Sequence, residues 1–579
     1  IKGVRMFDSL PTSALEFSRW TWDQIAPYYD DLRTRTLTAA TVDTWLADWS
    51  RLGALLDETH VRFVIATTVN TADADSEQRY KSFLDDIEPR AATAEQDLKQ
   101  QLIASGLEPA GFALPLRKLR TDAALFREEN LPLLGEDRKL GIDYGKLTGE
   151  RTVVWEGNEI PIVQLYPVSE DPDRDRRERA YRVQTTRMLQ DTPALATLWR
   201  DMIRLRQRIA TNAGFDNFRS YRWQQLYRYD YTPDDARRFH DAIEEVVVPA
   251  AARQNERRRQ ALGVPTLRLW DRTVDPDSRP PLRPYTTIEE LTDKTSNVFH
   301  HTDPQLGAYF DVMRAEGLLD LDSRPNKASG GYSLGLNVIG RPYIFTNAVG
   351  THDDVQTLLH EGGHSFNTFE MAHLPYLQQK REEVLPIEFA EVASMAMELL
   401  ASPFLTTRDD GFYTEADAAR ARVDHLRGII TFWPYMAMID ALQHWVYEHE
   451  TTGGDDIEAV DDYWVTLVDR FWPDYDWSGL EREKRAYWHG QDHVFTVPFY
   501  YIEYGIAQLG AVQVWGNALR DQAGAVAAYR RALALGGTVS LPELYATAGA
   551  KFAFDAQTLR ANVDLIERVI AELEPVARG

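Results

Sequence analysis

Along most of the chain the apolar positions recur every three or four residues, as in Val42, Trp45, Leu46, Trp49, Leu52, Leu55 and Leu56. That spacing puts them on one face of an α-helix and predicts a mainly α-helical protein. Two segments break the period. Residues 152–166 hold two β-rich runs around Glu156-Gly157-Asn158, which predicts a hairpin, and residues 332–347 hold two more with a turn near Gly340-Arg341-Pro342. Gly and Pro cluster in 264–284, which reads as a long surface connection, and 451–455 reads as a second loop. Residues 525–535 look like a helix of a tetratricopeptide repeat, but no companion follows about 34 residues away, so an ordinary amphipathic helix is expected.

Length and composition narrow the class. A chain of 579 residues can bury a large core and form lobes around a cleft. Aromatic residues resume within a few positions of each connection, so the lobes are expected to form one compact body: an N-terminal helical lobe with a small hairpin over 1–200, and a second region over 201–579. With 64 Lys+Arg against 89 Asp+Glu the net charge is −25, which repels a phosphate backbone, and no nucleic-acid partner is expected. The densest basic runs, 174–182 and 253–259, read as solvated helix faces. Cysteine is absent, so any metal must be held by His and carboxylate. The opening residues contain no apolar targeting core. The longest apolar run, 428–439, contains Pro434 and is too short to span a bilayer, so the expectation is a cytoplasmic protein without a membrane partner.

Chemistry concentrates at His360-Glu361-Gly362-Gly363-His364. On a helix, residues i and i+4 share a face, so the two imidazoles converge on one point with Glu361 beside it, as a zinc hydrolase requires. With 13 His in the chain, we estimate a chance HExxH at roughly 2%. Thr351 with Asp354 is an N-cap signature that starts the helix about two turns earlier. Two adjacent glycines inside a helix cost roughly 1 kcal/mol each against Ala, which suggests close approach of a substrate or a strand to the helix backbone. Catalytic zinc usually takes three protein ligands, so one is missing. Position 370, where a third histidine stands in HExxHxxGxxH enzymes, is Glu370. The candidates are Glu388, Glu391 and Glu398 on a following helix.

The pairing of HEGGHSF with AEVASMAMELL resembles the oligoendopeptidase F branch of the thimet oligopeptidase-like (M3) zinc metallopeptidases. Further segments fall in that family's order: Arg177 with Ala180 and Tyr181, then 208–221, 257–271, 327–347 and 536–544. The resemblance implies a two-lobed helical body with a deep substrate channel, a small β-sheet next to the HExxH helix, and the catalytic region within 201–579. It makes Glu391 the third ligand of one Zn2+ per chain. Glu398 shares the Glu391 helix face and is expected to orient a zinc-bound imidazole, whereas Glu388 is expected to be solvated. Family members usually carry a bulky apolar residue where this chain has Gly362.

Residues 488–510 hold the other dense cluster. By the same resemblance His493, Tyr501 and Tyr504 face the scissile bond, with Tyr500 the alternative to Tyr501; His489 reads as structural. Phenol and imidazole donors are what a developing oxyanion needs. Zinc acidifies water and polarises a carbonyl, and Glu361 acts as general base and then acid. Gly331, Tyr332 and Tyr343, with Tyr500, are candidate substrate-binding residues, because an edge strand beside the HExxH helix can add an extended peptide. The expected activity is zinc-dependent endopeptidase cleavage of short unstructured peptides. The competing readings are a metallocarboxypeptidase or peptidyl-dipeptidase, which needs a cation for the substrate's C-terminal carboxylate, and a non-catalytic helical peptide-binding scaffold. The oligomeric state is left open.

Overall fold

The structure is a computed structural model that describes residues 6–324, 326–328, 330–381 and 384–579. Residues 1–5, part of the stretch read for a targeting segment, lie outside these, as does Ser329 of the 327–347 run. Among the described residues there are 24 α-helices and five strands, so the helical period is borne out. The stripe from Val42 to Leu55 lies on helix α1 (Val42–Val69), where it is buried in a core that runs from Phe7 to Leu119. A larger core extends from Leu125 to Ile570. Into it pack α2 (Ile288–Thr302), α3 (His352–Met371), α4 (Ile387–Ala401), α5 (Glu415–Glu448) and α6 (Tyr501–Ala518). No helix among the described residues is long and apolar enough to cross a membrane.

The first hairpin forms as expected from β1 (Thr152–Trp155) and β2 (Asn158–Pro161), but its second arm stops early. Pro161 has no N–H to continue the ladder, and Ile162–Glu170 coils into a 3₁₀ helix. The second sheet has a strand that periodicity did not reveal. It contains β3 (Leu319–Asp322), β4 (Tyr332–Leu336) and β5 (Arg341–Ala348) in the order β3-β5-β4, with β3 parallel and β4 antiparallel to β5. Its outer strand β4 pairs with no other strand among the described residues.

Side-chain alternation orients this sheet. Ser333 Oγ lies 3.0 Å from Ser365 Oγ on α3, so Ser333 and Gly335 face the HExxH helix and Tyr332, Leu334 and Leu336 face the other way. On that other side stands α1. Thr68 Oγ1 lies 2.6 Å from Tyr332 Oη, and Glu58 accepts the backbone N–H of Val338 at 2.7 Å and of Ile339 at 3.2 Å. The sheet therefore joins the two cores.

Two surface expectations are corrected. The 264–284 connection buries Leu267, Leu269, Trp270 and Asp271, and Arg177 of the first basic run is itself buried and paired with Asp271 at 2.9 Å. Once Asp271 is out of water, its charge needs such a partner.

Candidate metal centre and facing donors

The HExxH helix is set at its start by a capping box between Thr351 and Asp354, and Asp354 also accepts from Tyr285 Oη at 2.5 Å. About two turns later His360 and His364 meet Glu391 of α4, with Nε2 atoms 3.4 and 3.7 Å from Glu391 Oε2. One ligand atom from each of the three residues lies within 4.8 Å of the others. Both imidazoles keep about a quarter of their surface open, 25% and 24%, so solvent reaches them.

The glycines make this crossing possible. A Cβ on Gly363 would stand 2.3 Å from Ala393 O and 2.6 Å from Ser394 Cα, so only a bare backbone lets α4 come this close. A Cβ on Gly362 would stand 2.5 Å from Phe299 Cζ on α2. The close approach expected at the glycines is thus made by a neighbouring helix and a phenyl ring rather than by substrate or strand. The helix runs unbroken through both residues.

Hydrogen bonds orient the ligands. His360 Nδ1 lies 2.7 Å from Glu398 Oε1, and His425 Nε2 of α5 lies 3.0 Å from Glu398 Oε2. Burial lowers His360, but its hydrogen bonds to Glu391 and Glu398 outweigh that and hold it well above the ordinary imidazole range, so a metal bound at Nε2 would displace a proton there while Nδ1–H stays on Glu398. Ser394 Oγ and Tyr500 Oη donate to the two oxygens of Glu391, at 3.0 and 3.1 Å. Burial raises Glu391, but hydrogen bonding to His360 and the charges of both histidines outweigh it and hold the carboxyl at about 2. Burial lowers His364 to about 4. An ionised carboxylate and a neutral imidazole are the forms that bind a metal, so the His-His-Glu set fits zinc. Glu361, only 8% exposed, is raised by burial to about 7, with His360 opposing and Glu391 and Glu398 adding to the rise. A carboxyl so placed can hold or release a proton near neutrality.

The second cluster faces the first. Tyr500 and Tyr504 have ring centroids 5.2 Å apart, and His493 lies 5.7 Å from Tyr500 and 6.0 Å from Tyr504. Tyr501 is turned aside: its hydroxyl is 3.5 Å from Gln491 Oε1, which also accepts from Tyr435 Oη at 2.8 Å. With Oε1 thus engaged, Gln491 turns its amide nitrogen to His493 Nδ1 at 3.1 Å, which leaves the ring proton on Nε2. Tyr500 is aimed by the residue before it. Phe499 is buried in the left-handed region at φ 67°, with its N–H on Gln443 Oε1 at 2.5 Å and its carbonyl on Arg228. A bulky residue holds that conformation only when its surroundings fix it.

The structure thus brings His360, Glu361, His364, Glu391, Glu398, His493, Tyr500 and Tyr504 together, and places Tyr501 behind them. Gly331 directly precedes β4, and a Cβ there would stand 3.4 Å from Phe345 O. Tyr332 stacks on Phe345 on the sheet face turned from α3, and Tyr343 lies on the middle strand, whose backbone is paired on both sides. Glu388 is not solvated: it is 4% exposed and accepts from Tyr231 Oη at 2.7 Å, on the side of α4 that packs against the 226–231 segment. His489 is buried with Nε2 on Asp461 at 2.8 Å, as a structural histidine. His425, Gln491 and Arg228 escaped the sequence reading, because each is a single residue without a local pattern.

Two histidines and a carboxylate crossing on paired helices, with a buried acid beside them, define a metallohydrolase-type centre within a helical body. Residues 168–564 match peptidase family M3, and the chain belongs to that family. Among solved structures it is similar to a protein assigned as oligoendopeptidase F, with 26% identity, TM-score 0.87, and 99% of this chain and 100% of the other covered. It is similar also to PZ peptidase A with an inhibitor, with 25% identity, TM-score 0.86 and coverage of 98% and 100%. A Bacillus anthracis protein assigned as oligoendopeptidase F, at 22% identity, shares the fold, with TM-score 0.82 and coverage of 98% of each chain. No curated protein matches the sequence.

Proposed function

We propose that the protein is a zinc-dependent endopeptidase that cuts internal bonds of short, unstructured peptides. The observation that carries this reading is the convergence of His360, His364 and Glu391 ligand atoms within 4.8 Å beside a buried Glu361. When bound by these three residues, one zinc per chain supplies Lewis acidity, which acidifies water and polarises a carbonyl. Glu361 takes the proton of the attacking water and returns it to the leaving nitrogen. His493 through Nε2–H, with Tyr500 and Tyr504, donates to the oxygen that gains charge. Tyr500 replaces Tyr501 in this role because its hydroxyl reaches the ligand cluster. Burial and the neighbouring Glu391 raise Tyr500, so it stays a protonated donor. The edge of β4 that pairs with no strand among the described residues, with Gly331 just before it, is the backbone along which an extended peptide lies. The division into lobes at 1–200 and 201–579 around a channel, and a cytoplasmic role in peptide turnover, belong to this proposal.

Glu361→Gln tests it. Loss of a general base is expected to lower kcat by about 10²–10⁴-fold with zinc content unchanged. A variant that cleaves a quenched peptide at the wild-type rate in zinc-replete buffer refutes the mechanism. Mass spectrometry of the products separates the specificities. Release of only one or two terminal residues from every peptide favours the carboxypeptidase or peptidyl-dipeptidase reading.

A further inference from the structure

Among the described residues of a protein rich in acids, Arg272 is an arginine that no acid pairs with. Several arginines near it have an acid: Arg177 and Arg174 share Asp271 at 2.9 and 2.7 Å, and Arg268 pairs with Asp476 at 3.2 Å. Arg272 forms no ion pair among the described residues. Its guanidinium instead lies over the Trp472 ring at 4.6 Å and near the Tyr475 ring at 5.9 Å, and Nη1 donates to Tyr487 Oη at 3.0 Å. The groups that face its charge are the phenols of Tyr487, Tyr475 and Tyr435. Nε and Nη2 have no protein acceptor among the described residues, and neither is fully closed off, in a residue that is half-buried. Aromatic faces hold a cation in place without cancelling its charge.

The cage is continuous with the donor half of the site. Trp472 stacks on Tyr435 at 5.3 Å, Tyr435 meets Tyr501 at 5.9 Å, and Tyr501 meets His493 at 5.2 Å. Tyr435 and Gln491 are hydrogen-bonded, and Gln491 holds His493. A planar guanidinium with two free donors, fixed by rings at the end of this wall, matches the fork of a carboxylate.

Building on the peptidase reading above, we propose that Arg272, with the Tyr487 hydroxyl, binds a carboxylate of the peptide substrate beyond Tyr435 and Tyr501 from His493. Along this run of contacts three aromatic side chains, Trp472, Tyr435 and Tyr501, stand between Arg272 and His493, so the anchored group lies several residues from the bond that is cut, as an oligopeptide allows. The carboxylate can be the peptide's C-terminus or an Asp or Glu side chain.

Binding in the Glu361→Gln background decides, because it is read without cleavage. Calorimetry would compare one peptide with a free C-terminus, its C-terminal amide, and amides carrying a single Asp at successive positions. With Arg272 present, at least one carboxylate-bearing peptide is expected to bind about tenfold more tightly than the plain amide, and with Arg272→Met that ratio is expected to fall to about one. Preference for the free acid identifies the C-terminus; recovery by Asp at one position identifies a side chain. Arg272→Lys, which keeps the charge but not the fork, is expected to retain part of the preference, and it replaces Arg272→Met if that variant does not fold. Equal ratios with and without Arg272, or no peptide binding at all, overturn the proposal. Peptide cleavage by the wild type is scored separately, so failure of the peptidase reading is distinguishable from failure of the anchor.

Discussion

The two halves of the site are held by different forces. In the metal half, α3 and α4 touch through backbone at Gly363, and ligands are tied by charged pairs such as His360 with Glu398 and Glu398 with His425. In the donor half, the side chains of His493 and Tyr501 are held by ring contacts and neutral hydrogen bonds centred on Gln491, above a backbone that buried Arg228 fixes at Phe499. At Gly363 the first arrangement is backbone against backbone and leaves no room for an added methyl group. The second is a set of separable contacts, each of which can be removed while the others stay. Damage to the metal half should therefore be all-or-none, and damage to the donor half graded.

The largest effect tests the all-or-none side. Glu391→Ala leaves two histidines for the ion and is expected to abolish zinc retention on dialysis and peptide hydrolysis with it. The loss should exceed the roughly 10–100-fold change in metal affinity that removal of an outer partner such as His425 brings. Zinc analysis of the two variants checks the order. On the donor side, Tyr500→Phe is expected to lower kcat by about 10²–10³-fold in zinc-saturating buffer, with weaker zinc binding because its hydroxyl also donates to Glu391, and Tyr501→Phe by much less, since its hydroxyl points to Gln491. Equal losses for the two tyrosines would return Tyr501 to the scissile bond.

A smaller effect sharpens the packing argument. Gly363→Ala forces a methyl group into the α4 backbone and is expected to destabilise the fold by about 1–3 kcal/mol in urea unfolding, with weaker zinc binding. Gly362→Ala meets only the Phe299 ring, which can shift, and should cost less. If the two variants are equally stable, the glycine pair does not set the helix crossing.

These positions also show how far sequence reading reaches. His360, Glu361 and His364 were legible because helix geometry alone fixes what i and i+4 share. Glu391 was not derivable from spacing, since three glutamates compete on one helix and only the resemblance chose among them. The structure puts Glu391 and Glu398 at the metal cluster, while Glu388, nearly a turn earlier on the same helix, is buried against Tyr231 instead. The glycines announced a close approach, but a one-dimensional pattern carries no information on what approaches. Strand β3 is a four-residue segment, LDLD, that becomes a strand by pairing with the distant β5. His425 and Gln491 acquire their roles from tertiary contacts alone.

Gln491 is where the graded side of the comparison is best tested. Its Oε1 takes the phenols of Tyr435 and Tyr501, which forces its amide nitrogen toward His493 Nδ1 and fixes the imidazole tautomer with the proton on Nε2. Gln491→Leu removes that constraint but touches neither the metal ligands nor Glu361. We expect zinc content and stability to stay close to wild type, KM to change little, and kcat to fall by about tenfold as the wrong tautomer gains population. Gln491→Glu can accept but not donate, so it favours the opposite tautomer, with the proton on Nδ1, and should fall further than Leu. If both variants keep full kcat, His493 does not donate in the rate-limiting step, and the two tyrosines carry the oxyanion without it.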